Sequence, residues 1–360
     1  MKKYSSYIEK AMCFDDILLI PNNNSIVKSR YSVDLNMKIG NADNHNAMLE
    51  LRLPIIASPM DTVCEWEMAS ILSNYGGLGI IHRFMSVENR IEHLQKINGL
   101  KGVAVSLVEA KDSSIIHRIL DTGVKVLCID TANGHAQRAI QAVHDLRKIV
   151  PNHIHIMCGN VSTHSAFSQL LSAGADSVRV GIGGGSACTT RLVSGHGMPT
   201  LQSIIDCKER NKEYYKSDIY GIVADGGIRN TGDIVKAFAS GSNAVMLGSL
   251  LAGYDESPGE IIRDITDRPV KQFRGMASKE AQEDWLGGVS VSEGISTFVP
   301  YKGKLEDFLK NIIGGIGSGC SYSGVDNLNE LYENSMYVEI SSNSIHENQP
   351  HAMKSSTQLK

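Results

Sequence analysis

Cys188 sits in a stretch built to present it: Val178 to Arg191 reads VRVGIGGGSACTTR. A short alternating run, Ser177 to Val180, empties into Gly181, Gly183, Gly184 and Gly185, followed by Ser186, Cys188, Thr189, Thr190 and Arg191. Glycines this dense let a backbone turn sharply and bring its own N–H and C=O groups against a ligand. A thiol directly behind such a turn is held where a substrate atom can reach it, and as thiolate it is strongly nucleophilic near neutral pH. The same letters also fit a surface loop with an incidental cysteine, since cysteine is often just a small buried hydrophobe.

Two further stretches carry chemistry. ADGGIRNTGD places Asp225, Gly226 and Gly227 between a strand and a helix opening near Thr231–Gly232, and VMLGS ends a second strand in Gly248 and Ser249. Backbone N–H groups from two such strand ends can converge on one phosphate. Farther on, Leu250 to Gly303 is an excursion too long for an ordinary connection, the kind of segment that forms a lid. It contains FRGMAS (Phe273–Ser278) and GGVSVSEGIS (Gly287–Ser296), whose glycines suit a hinged, mobile flap. Glu293, between Ser292 and Gly294, can enter a site from that flap as a general acid/base, the alternative being a solvated surface charge.

The elements that must position these groups are eight apolar runs, short and mostly β-branched. They are Pro54–Ser58, Leu78–His82, Val103–Leu107, Val124–Asp130, Ile154–Asn160, Ser177–Gly181, Ile219–Asp225 and Ala244–Ser249. Nearly continuous apolar strands are what a parallel sheet covered on both faces requires. The segments between them have helical periodicity; in Ala136–Ile149, Ile140, Val143, Leu146 and Ile149 share a face. Eight such units fit a (β/α)8 barrel better than a doubly wound sheet. Ser58, His82 with Arg83, Asp130, Asn160, Gly183, Asp225 and Gly248 all fall at strand ends, which in a barrel share the rim where active sites form.

Composition narrows the classes. A chain of 360 residues with net charge −4, 42% hydrophobic and 21% charged residues reads as a globular protein with no dedicated nucleic-acid or membrane surface. The start, MKKYSSYIEKAMCF, has no apolar region of the kind a signal peptide needs. Seven scattered cysteines argue against a disulfide framework or zinc site and for a reducing, cytoplasmic setting. The expected organisation is an N-terminal arm (1–50), a barrel (51–335) that includes the flap (250–303), and a polar C-terminal tail (336–360).

GIGGGSACTTR, together with SPMDTV, IIHRFMS, DTANGH, GNV, ADGGIR and GSLLAG, resembles the IMP dehydrogenase/GMP reductase family from about Phe14 to about Leu331. The resemblance implies a (β/α)8 barrel, usually a homotetramer, acting on a purine 5′-monophosphate (GMP or IMP) with a nicotinamide cofactor. Cys188 then matches the nucleophile that attacks C2 of the purine, Thr190 a threonine that moves a proton, and Glu293 the flap carboxylate that works with it. Ser58, Ser186, Asp225, Gly226, Gly227, Gly248 and Ser249 match positions that hold ribose and phosphate. Gly275, Met276 and Ala277, with Gly294, match the segments along the base. Asp130, Thr131 and Ala132, beside Arg83, match the nicotinamide side. Ser29 and Arg30 match an arm that reaches the dinucleotide, and Ser318, Gly319, Cys320 and Ser321 a loop that reaches it partly from a neighbouring subunit. The carbonyls of Gly183, Gly185 and Cys188, with Arg191 adjacent, match a potassium (K+) site. A family-typical CBS insert of two small domains after the second strand is not expected, because His82 to Val103 leaves room for about one helix.

Within the family, the dehydrogenase branch hydrolyses the covalent intermediate with water activated by a flap arginine followed by tyrosine. Between Met276 and Glu293 this chain offers ASKEAQEDWLGGVSVS, with neither. The expectation is therefore reductive deamination of GMP to IMP and ammonia with NADPH. The alternatives are an IMP dehydrogenase in which Lys279 replaces the arginine, and a catalytically inert binding protein on the same barrel.

Overall fold

Eight parallel strands close into a barrel in this computed structural model, which describes residues 10–22, 27–41, 44–214 and 221–348. The ends of the expected arm and tail (1–9 and 349–360) and the first two residues of the seventh apolar run lie outside the described residues. Three strands precede the barrel: β1 (Ile17–Ile20), β2 (Met37–Ile39) and β3 (Leu49–Leu51). The barrel comprises β4 (Ile55–Ala57), β5 (Leu78–Ile81), β6 (Gly102–Val105), β7 (Val126–Asp130), β8 (His155–Val161), β9 (Ser177–Val180), β10 (Ile222–Asp225) and β11 (Ala244–Leu247). Each overlaps one of the eight apolar runs, β6 starting one residue before its run and β8 ending one residue past its own, and strand order follows chain order around the ring until β11 closes on β4.

Helices α1 (Trp66–Asn74), α2 (Val87–Lys96), α3 (Ser113–Leu120), α4 (Gln137–Ile149) and α5 (His164–Ser172) cover the first half of the ring. The second half carries α6 (Thr190–Ser194), α7 (Thr200–Tyr214) and α8 (Thr231–Ala239). Only α2 stands between β5 and β6, so the barrel has no inserted domain there. Alternation along each strand divides the apolar residues in two, as a period of two demands. Ile56, Leu78, Ile80, Val126, Met157 and Met246 fill the barrel, while Ile55, Ile81, Leu127 and Val245 pack outward against the helices. Ile39 and Leu51, from the β2–β3 hairpin, join the inner set and plug the N-terminal end.

After β11 the excursion folds into β12 (Ile262–Arg263), β13 (Pro269–Arg274), α9 (Lys279–Leu286) and β14 (Ser296–Pro300), the strands forming a three-stranded antiparallel sheet. Then come α10 (Leu305–Ser323), α11 (Leu331–Asn334) and β15 (Met336–Glu339). Two expectations are corrected here. Ser318–Ser321 is not a loop: Leu309, Ile312, Ile316 and Cys320 recur at helical spacing and are buried, so the helix runs on to Gly324, whose φ of 79° ends it. The start of the segment expected as a polar tail forms a strand, because β15 pairs antiparallel with β1, Ile17 opposite Glu339. An exposed edge strand presents unpaired N–H and C=O groups, and the backbone of Met336–Glu339 satisfies the edge of β1. No helix among the described residues is long and apolar enough to cross a membrane.

Candidate active site

The Cys188 loop leaves the C-terminal end of β9 and is shaped by close backbone approach. A Cβ at Gly181 would lie 2.0 Å from the Asp225 carbonyl oxygen, so no larger residue lets the β9 and β10 exits run side by side. Gly226 and Gly227 both have left-handed φ, 93° and 79°, which turns the chain after Asp225 back against Gly184 and Gly185. The Cys188 N–H donates to the Gly185 carbonyl at 3.0 Å, closing the turn and leaving the thiol exposed. Arg191 braces it from below, its guanidinium donating to the Met198 carbonyl at 3.0 Å. Gly183, Gly185 and Cys188 thus share one turn, and among the described residues no group of three or more His, Cys, Asp or Glu is placed to hold a metal ion.

The flap returns to this loop. Glu293 lies beside Thr190, whose hydroxyl donates to the carboxylate at 2.7 Å, and the Cys188 thiol donates to the same hydroxyl at 3.2 Å. Thiol, hydroxyl and carboxylate therefore form one proton path. Backbone contacts fix it: Thr189 N–H to the Glu293 carbonyl and Glu293 N–H to the Ala277 carbonyl, both 3.0 Å, and Cys188 bridged to Gly294. Gly275 faces Ala187 across the same seam, and Met276 accepts from the Asp61 N–H at 3.4 Å. Three expected segments, 188–190, 275–277 and 293–294, thus meet, although they are far apart in the chain.

Ser58 and Gly248 lie where β4 and β11 adjoin, the Ser58 N–H donating to the Leu247 carbonyl at 3.0 Å. Ser249 follows directly, and Ser186 is exposed on the cysteine loop. The phosphate cradle differs from expectation in one respect. Asn230 and Asp233 accept from the N–H groups of Asp233 and Arg229, so the start of α8 is capped by its own side chains. The open donors are those of the glycine turns.

Sequence reasoning named Asp130, Asp225, Arg83 and Asn160 but missed the residue that joins them. Arg179, buried on β9, donates to Asp225 at 2.9 Å and to Asp130 at 2.7 Å; Arg83 holds Asp130 from its other side at 3.2 Å. Asn160 donates to Asp225 at 2.8 Å and to the Gly181 carbonyl at 2.9 Å. Burial pushes the Asp130 carboxyl up, but the two guanidinium groups outweigh it and hold it below the usual carboxylate range. An arginine inside the apolar run SVRVG was the available signal, because a buried charge must be paired. Thr131 and Ala132 flank Asp130 at the same rim.

The remaining expected residues lie on the outer helical layer. Ser29 caps the short turn Arg30–Ser32, and the Arg30 carbonyl sits 1.9 Å from where a Cβ of Gly317 would be, so arm and α10 pack tightly. Cys320 is fully buried, with its thiol pushed up to about 12 by that burial. Gly319 packs against Val235 and lines an apolar groove of about 470 Å³ with Leu19, Thr231 and Tyr322.

Residues 11–351 match the family model described as IMP dehydrogenase / GMP reductase domain. The chain belongs to the IMP dehydrogenase/GMP reductase family. It is an enzyme, an oxidoreductase, and the family implies a nicotinamide cofactor. Bovine (Bos taurus) GMP reductase 2 is 38% identical, over 91% of this chain and 93% of its own length. The inosine-5′-monophosphate dehydrogenase of Borreliella burgdorferi is 32% identical, over 97% and 98%. The reductase alignment takes 335 positions, whereas the dehydrogenase alignment takes 415 for a chain of 360 residues and therefore opens gaps. A crystal structure of a GMP reductase variant from Trypanosoma brucei in complex with guanosine 5′-monophosphate superposes with a TM-score of 0.87 at 25% identity, covering 96% of this chain and 98% of that one.

Proposed function

We propose that the protein reduces GMP to IMP and ammonia at the expense of NADPH, through a covalent adduct on Cys188. The observation that carries this reading is the flap: the thiol is hydrogen bonded to Thr190 and Thr190 in turn to Glu293, and no arginine or tyrosine lies between Met276 and Glu293 to activate water. Lys279, the one candidate replacement, sits on α9 with its ammonium 3.7 Å from Glu283 and two-thirds exposed, engaged on the helix surface.

Asp225 would take the ribose hydroxyls, and the amides of Gly226, Gly227, Gly248 and Ser249 the phosphate, while Gly275–Ala277 and Gly294 lie along the base. Thr190 passes the Cys188 proton to Glu293 as sulfur bonds to C2 of the purine. Glu293 returns it to the departing amine, which leaves as ammonia. When bound, NADPH supplies the hydride that C2 then requires, and release of the Cys188 thiolate gives IMP. The residues present fit such a dinucleotide: Asp130 keeps its charge at the rim beside Thr131 and Ala132, ready to accept ribose or amide donors. Arg30, Ser318 and the apolar groove beside Tyr322 would receive the far end from a neighbouring copy, within the homotetramer that the family resemblance implies. Carbonyls of Gly183, Gly185 and Cys188 would hold K+, a hard ion suited to oxygen donors.

The test is absorbance of reduced nicotinamide with GMP plus NADPH and, separately, IMP plus NAD. NADPH loss matched by ammonia release is expected. NADH formation from IMP with no NADPH loss in the presence of GMP would overturn the assignment in favour of a dehydrogenase without regulatory domains.

A further inference from the structure

The carboxylate of Glu293 is delivered by a segment, Gly287–Ser292, that is largely exposed and has no regular structure of its own. Something must fix its path, because proton transfer along the Cys188–Thr190–Glu293 line needs hydrogen-bond distances held to a few tenths of an ångström. The neighbouring helix α9 makes the connection. Gln282, buried on its inner face, donates its amide to the carbonyls of Ala277 (3.0 Å) and Val291 (2.9 Å), and its side-chain oxygen accepts from the Ser290 N–H (3.1 Å). One side chain therefore clips the outgoing and returning limbs of the flap together, two residues before Glu293.

The helix itself is held to the barrel at two points by adjacent residues. Asp284 accepts from Arg274 at 2.6 Å, and Arg274 also grips Asp61, on the loop after β4, at 2.6 Å. Trp285 packs edge-on against Phe84, on the loop after β5, with ring centroids 6.5 Å apart. We propose that Gln282 is a positioning residue for Glu293, and that Asp284 and Trp285 anchor α9 so that Gln282 can act. This rests on the reading that Glu293 works with Thr190 and Cys188. Asp284 and Trp285 are both exposed, so their contacts serve the placement of the helix more than the burial of a core.

The test is a double-mutant cycle on the full-length enzyme, in the direction of whichever nucleotide it turns over. Gln282→Ala should lower kcat about 10- to 100-fold, with KM for the nucleotide changed less than about threefold. In a Glu293→Gln background the same change should cost less than about twofold, because a residue that acts through Glu293 has nothing left to position. An equal loss in both backgrounds, or no loss in the parent enzyme, overturns the proposal. If Gln282→Ala does not fold, Trp285→Ala and Asp284→Asn replace it in the same cycle, with Trp285→Phe expected to stay within about threefold of the parent. Full activity of Glu293→Gln alone would instead sink the role given to Glu293, a separate failure read from the single variant.

Discussion

The two ends of the barrel use the same kinds of residue to opposite effect. At the N-terminal end, His155 is fully buried, hydrogen bonded to the Ala47 carbonyl at 2.9 Å and to the Ser177 hydroxyl at 2.7 Å. Asp176 beside it accepts from Arg147, from the Asn44 amide at 2.9 Å and from the Ile156 N–H at 2.8 Å. The β2–β3 hairpin seals this end, and Arg147 spends its other donors on the carbonyls of Gly174 and Ile154. At the C-terminal rim, Asp130, Arg179 and Asp225 are paired just as closely, but an exposed thiol and glycine turns lie beside them, open to solvent. Paired charge by itself therefore does not mark a site. The difference is that the rim leaves donors, acceptors and a nucleophile unspent where a ligand can enter, whereas the plugged end spends them all on the fold.

Three changes break or sharpen that contrast. Cys188→Ala should abolish turnover, by about 10⁴-fold or more, while the melting temperature and nucleotide affinity stay close to those of the parent. The same variant should lose the fastest phase of thiol labelling, since burial pushes Cys64, Cys158, Cys207 and Cys320 up and leaves them inert. At the plugged end the outcome reverses: Asp176→Asn should cost about 3 kcal/mol in denaturant unfolding, because it strands a largely buried guanidinium, with kcat/KM unchanged within about threefold. Near-normal turnover in the first variant, or a stability loss below about 1 kcal/mol in the second, would erase the distinction.

The smallest effect is a pH dependence. Burial holds the His155 imidazole below its ordinary 6.5, so the folded protein keeps it neutral while the unfolded chain takes up a proton. Its contribution to stability is intact above about 6.5 and is lost as pH falls below that value. Melting temperature should decline from pH 7 to 5.5, and His155→Gln should flatten part of that slope. An unchanged slope in the variant would show that His155 does not carry it.

Residue order by itself determined the barrel. Parallel strands buried on both faces must be almost continuously apolar, so eight such runs with helical periodicity between them were legible without coordinates. The exposed thiol behind its glycine turn was legible too, because dense glycine before a cysteine is a local feature. So was the missing insert after β5, a matter of counting residues. Helix α10 was misjudged past Ile313 because it there uses Gly314 and Gly317 against the arm and Gly315 and Gly319 against α8, small residues that carry little hydrophobic signal yet allow close packing. The start of the tail was misjudged because a strand's partner is set by which sheet edge is open, and β1 lies more than three hundred residues away. Arg179, Asn160, Gln282 and Arg274 gain their meaning only from groups on other elements. Pairing energies of that kind depend on distance in space, and only closure of the barrel and seating of the flap bring Asp130, Asp225, Ser290 and Asp61 within reach.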